Sequence, residues 1–134
     1  MSTGLSAVNT ADAWLHVLRG NAAGVTFTAP AVQAAKLHVG DPGSAGTAAP
    51  SVGDATRKAL TFAAPAGGVM ALSTAPAVWT NGGTTEILSH ISVWNSTTVG
   101  DFQYSAPLTA TYSWATTNTF TLTALSISLS PIAT

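Results

Sequence analysis

After Asp101 the chain carries no Asp, Glu, Lys or Arg, and its apolar residues recur at every second position. Tyr112 and Trp114 alternate with Thr111 and Ser113, Thr119-Phe120-Thr121-Leu122-Thr123 alternates strictly, and Leu125, Ile127 and Leu129 keep the same spacing. A period of two marks strands with one buried face, whereas a helix would space its apolar groups three and four residues apart. Uncharged strands with open edges pair with other chains. The last third therefore predicts β-structure whose edges are paired or covered.

The same pattern runs upstream. Val25-Thr26-Phe27-Thr28 alternates, residues 34–39 form a second run, and Arg57-Lys58-Ala59-Leu60-Thr61-Phe62 forms a third. Pro30, Pro42, Pro50, Pro65 and Pro76 fall between the runs, where strand-forming chains tolerate proline. In Glu86-Ile87-Leu88-Ser89-His90-Ile91-Ser92-Val93-Trp94, strict alternation puts Ile87, Ser89, Ile91 and Val93 on one face and Leu88, His90, Ser92 and Trp94 on the other. Both faces carry large apolar groups, which predicts a central strand. Residues 101–106 follow as a further strand after a turn at 95–100.

One segment has helical character, residues 10–19. Asn9 or Thr10 can cap its start, Asp12 suits the first turn, and Arg19 the last, with Gly20 just beyond. Ala11, Trp14, Leu15 and Leu18 share a face. That face either caps the chain's own sheet or anchors a neighbouring subunit. The predicted fold is a single domain, 1–134, that is mainly β: an antiparallel β-sandwich, Ig-like or jelly-roll-like, with one short N-terminal α-helix.

Composition sets what such a sandwich can bind. Charged residues make up 7% of the chain against about 25% in ordinary soluble domains, 46% are hydrophobic, and the net charge is -1. Weakly polar faces with little net charge favour association, so much of the surface is expected to lie against other protein. The charge balance offers no basic patch for nucleic acid and no polybasic segment for a membrane surface. Ser, Thr, Asn and Gly interrupt every apolar run, which argues against a membrane-spanning helix. Cysteine is absent, excluding disulfides and thiolate metal sites. Met1-Ser2-Thr3-Gly4-Leu5 lacks the basic and apolar regions of a secretory signal.

Catalytic constellations are missing. His16, His38 and His90 occur with Asp41, Asp54, Glu86 and Asp101, but in no nucleophile elbow, metalloprotease motif, phosphate loop or paired-carboxylate arrangement. The expectation is no enzyme, no cofactor and no metal, with His38 and His90 as structural, hydrogen-bonded histidines. Asn95-Ser96-Thr97 reads as a turn. Trp14, Trp79, Trp94 and Trp114 either fill the core and an interface or line a sugar-binding face; large aromatics favour packing.

The order of features resembles a family of small virion proteins of tailed bacteriophages, common in phages of actinobacteria and described as head decoration, minor capsid or tail proteins. The resemblance rests on the helix from Trp14 to Arg19, Leu37-His38-Val39-Gly40-Asp41-Pro42-Gly43 with Ala45-Gly46-Thr47-Ala48, Thr56 to Phe62, His90-Ile91-Ser92-Val93-Trp94, and Ala106-Pro107-Leu108-Thr109-Ala110. It implies a virion protein assembled in the host cytoplasm that decorates and stabilises the capsid surface. Its implied partners are the major capsid protein and further copies of itself, with a trimer as the analogue. The alternative is a tail or receptor-binding module for host glycan. The loop at 40–55 is the candidate partner arm, opened by a type II turn at Asp41-Pro42-Gly43, and Trp14, Arg57 and Lys58 are the other candidate contacts.

Overall fold

A computed structural model describes residues 3–20, 29–73 and 77–130. In chain order the elements are β1 (Gly4–Leu5), a π-helical turn (Ala7–Ala11) running into α1 (Asp12–Leu18), β2 (Gln33–His38), β3 (Lys58–Leu60), β4 (Val69–Ala71), β5 (Ala77–Thr80), β6 (Glu86–Trp94), β7 (Phe102–Trp114), β8 (Thr119–Leu122) and β9 (Ser126–Ser128). A five-stranded sheet has the order β1-β7-β6-β2-β3, and β4–β9 and β5–β8 form two-stranded pairs. Every pairing is antiparallel. The chain is thus mainly β, a β-sandwich with one short N-terminal helix. The expected strand at 25–28, and Pro76 between the runs, lie outside the described residues.

The core lies between the layers. Leu37, Leu60, Leu88, Ile91, Val93, Tyr104 and Trp114 from the large sheet meet Trp79 and Leu122 from the β5–β8 pair. Trp79 and Trp114 are fully buried, and each ring satisfies its N–H: Trp79 donates to the Thr56 carbonyl and Trp114 to that of Asn118. Burying an aromatic side chain removes about 150–250 Å² from water. At about 25 cal/mol per Å², each tryptophan is worth at most on the order of 5 kcal/mol.

The uncharged tail is paired along one edge of each strand, β8 with β5 and β9 with β4; among the described residues the other edge of each pair has no ladder partner. β6 departs from strict alternation. Leu88 joins Ile91 and Val93 in the core, whereas Ile87 stands 59% exposed. The cause is an irregularity between Leu88 and His90: Leu88 faces Tyr112 but His90 faces Pro107, so the β7 side carries extra residues there. Pro107 has no N–H for the ladder, and the side chains of β6 change phase across this irregularity.

The helix starts earlier than predicted. Ser6 is its N-cap, accepting from the Asn9 N–H at 3.3 Å. Asn9 and Thr10 instead tie the helix to β7, donating to the carbonyls of Phe102 at 3.0 Å and Gln103 at 2.8 Å. The chain reaches Ser6 from β1, already paired with β7, so Ser6 is the first hydroxyl placed to cap. The end is as expected: Arg19 is the C-cap and Gly20 follows with φ +71°.

Candidate functional site

The loop at 40–55 is folded back onto the sheet, which corrects the expectation of an adaptable arm. Gly43 has φ +74°, as a type II turn requires of its third residue, and its N–H donates to the Asp41 carboxylate at 2.9 Å. Pro42 is fully buried, and Asp41 and Gly43 are half-buried, so the turn faces its own domain. Beyond it, the Val39 N–H donates to the Ala49 carbonyl, that of Ala48 to Pro42, and that of Ser51 to Leu37. Gly46, at φ +71°, lies so close to the Phe102 ring that a Cβ there would overlap it.

A buried histidine and a half-buried carboxylate hold this loop. His38 is fully buried, with Nδ1 2.7 Å from the Ala48 carbonyl and Nε2 2.7 Å from the Ser92 hydroxyl. A carbonyl only accepts, so Nδ1 carries the proton and Nε2 accepts from Ser92, whose oxygen in turn accepts from the Trp94 ring N–H at 2.8 Å. Burial lowers the His38 pKa, with Lys36 and His90 acting in the same direction against the hydrogen bonds from the loop backbone. His38 is therefore a structural neutral histidine. Further along, the Glu86 carboxylate accepts from the Ser51 hydroxyl and from the N–H groups of Val52 at 3.2 Å and Gly53 at 3.1 Å.

Arg57 and Lys58 part ways. The Arg57 guanidinium carbon lies 3.7 Å from the centroid of the Trp94 ring, and its Nη1 donates to the carbonyls of Thr98 at 2.9 Å and Ser96 at 3.3 Å. Arg57 thus closes the 95–100 turn over the sheet. Partial burial lowers its pKa. Lys58 pairs with Asp54 at 3.5 Å. Burial works against the Asp54 carboxylate, but the Thr56 hydroxyl and N–H and the Lys58 ammonium outweigh it and lower its pKa.

The tryptophans pack. Trp79, Trp94 and Trp114 are buried, and Trp14 is half-buried, lining a cavity of about 30 Å³ with Gln33, Met70, Tyr104 and Ile127. Trp14 thus caps its own domain, while Leu15 and Leu18 of the predicted apolar face point outward. Among the described residues no open platform of Trp rings exists.

Asn81 escaped the sequence reading. It is buried, donates to the carbonyls of Trp114 at 2.7 Å and Thr84 at 3.0 Å, and accepts from the Gly83 N–H at 2.8 Å. The signal for it was Asn81-Gly82-Gly83, the composition of a turn built on an asparagine side chain.

What this scaffold leaves outside is apolar or hydroxyl-bearing. Val8, Leu15, Val17 and Leu18 are exposed on the helix, Val52 and Val99 at loop tips, and Thr109, Thr111 and Tyr112 on β7. Such a surface suits contact with protein. A family model described as podophage GP4 fiber I protein gp80 matches residues 4–130. The chain belongs to this family. No curated protein matches it. A gp80-family chain is a bacteriophage virion structural protein, so the virion part of the resemblance holds. The head-decoration part, tied to phages of actinobacteria, is not what the family description says.

Proposed function

We propose that this protein is a non-catalytic subunit of the fibre or tail apparatus of a phage virion, held there by protein–protein contacts. The observation that carries the reading is the match to a fibre-protein family over nearly the whole chain. The scaffold is compatible with it: the polar groups of the loops serve to close the fold, and the remaining surface is weakly charged and partly apolar. The match favours a fibre over shell decoration, and partners among fibre or tail proteins over the major capsid protein. With Trp79, Trp94 and Trp114 buried, the reading includes no tryptophan platform for host glycan.

Gold labelling of the protein on intact virions tests this. Label confined to the tail or its fibres is expected. Label spread over the whole shell, at a copy number matching the major capsid protein, would overturn it.

A further inference from the structure

The outward face of the N-terminal helix joins exposed apolar groups to two charges of opposite sign. Val8, Leu15 and Leu18 are 76%, 61% and 82% exposed. Asp12 and Arg19 lie seven residues apart, which is within about 20° of two full helical turns and about 10 Å along the axis. Together with Leu15 and His16 they line one open surface hollow of about 210 Å³. Leu15 thus sits between a carboxylate and a guanidinium on the same stripe.

In a chain with only 4 basic and 5 acidic residues, this placement is a strong local pattern. Among the described residues neither Asp12 nor Arg19 takes part in a salt bridge; the ion pair there is Lys58–Asp54. Among the described residues the Arg19 side chain reaches His16, on its own helix, with Nη2 3.1 Å from Nδ1.

We infer that this face binds the same face of a second copy, with the two helices antiparallel about a two-fold axis between Leu15 and His16. In that arrangement Asp12 of each copy meets Arg19 of the other, and the two Leu15 side chains pack between the ion pairs. Two-fold interfaces require residue i to meet j and j to meet i, and the order acid, leucine, base is complementary to itself only when reversed. A parallel pairing would set Asp12 against Asp12 and Arg19 against Arg19. The helix dipoles favour the antiparallel sense as well. A single helix pair buries less than the roughly 1,200 Å² of a stable interface, so the dimer is weak and concentration-dependent. The inference does not depend on where in the virion the protein sits.

Sedimentation equilibrium of the full chain tests it, with circular dichroism to confirm folding. Wild type should form a reversible dimer that weakens as salt rises. Asp12→Arg and Arg19→Asp should each weaken association by about tenfold or more, since each swap sets like charges opposite one another at two symmetry-related places. The double variant Asp12→Arg/Arg19→Asp should recover it. Leu15→Ser, a change at an exposed position that leaves the core intact, should weaken it without unfolding the domain. A wild type that stays monomeric, including one that binds only another virion protein, would overturn the inference. So would a dimer indifferent to the single swaps and to Leu15→Ser, or a double swap that fails to recover association.

Discussion

The guanidinium of Arg57 lies over the indole of Trp94, its central carbon 3.7 Å from the ring centroid. Trp94 also meets Phe102, at 5.6 Å between ring centroids and tilted by 59°. A cation from the segment before β3 is thus built into the stack that holds the end of β6 against the start of β7.

Arg57→Ala removes this stack and the two carbonyl contacts at Ser96 and Thr98, and should cost about 1–3 kcal/mol of stability. Arg57→Lys should recover only part, because an ammonium has no plane to stack and cannot fork between carbonyls. Lys58→Ala, by contrast, breaks one ion pair whose ammonium is partly open to solvent and should cost about 1 kcal/mol or less. Urea unfolding of the three variants checks the order. Equal losses for Arg57→Ala and Lys58→Ala would refute the clamp.

Acid should loosen the protein through His38. Its folded pKa lies below the ordinary 6.5, so the folded state resists taking up the proton. The stability this represents is present in full above pH 6.5 and is lost as pH falls through the depressed folded value. The unfolding midpoint should therefore drop on acidification below pH 6.5. His38→Gln should lower stability at pH 8, where the bonds to Ala48 and Ser92 are disturbed, and flatten the slope below pH 6.5. A slope unchanged in that variant would assign the acid sensitivity elsewhere.

Gly46→Ala places a methyl group into the Phe102 ring at a backbone φ of +71°. Strain and overlap together should destabilise by about 2–4 kcal/mol. Phe102→Ala in the same chain should relieve the overlap, so that the double variant is less unstable than the sum of the two singles. Additive losses in a double-mutant cycle would show that the contact is not the cause.

Asn81→Leu leaves the buried carbonyl of Trp114, and the Thr84 carbonyl and Gly83 N–H of the turn, without their side-chain partner. A loss of about 3 kcal/mol or more is expected, with faster amide exchange at residues 82–84. Stability equal to wild type would mean that water replaces the side chain there.

Period-two alternation and proline spacing sufficed for β2, β6 and the strands of the tail, because a repeat of two can bury one face only in a sheet, but they missed β1, β4 and β5 and gave no pairing order. They did not suffice for phase. Whether Ile87 or Leu88 faces the core depends on the irregularity opposite Pro107, which arises between two strands and is written in neither alone. The Asp41-Pro42-Gly43 turn was legible because proline and glycine act on their own backbone. That the loop beyond it lies down on the sheet depends on His38 finding Ser92, a partner more than fifty residues away.

The same division runs through the surface. Scarce charge in the amino-acid order led to the expectation of a surface suited to contact with protein, since solvation depends on composition. Which charges remain free to do so is a matter of three-dimensional distance: Arg57 is drawn onto Trp94 and Lys58 onto Asp54, while Asp12 and Arg19 stay on the open face of the helix. Local chemistry set the strands, turns and helix end, because those forces act within a few residues. Only packing in space chose the helix face that is buried, the neutral state of His38 and the contacts of each cation, because each depends on groups brought together from distant parts of the chain.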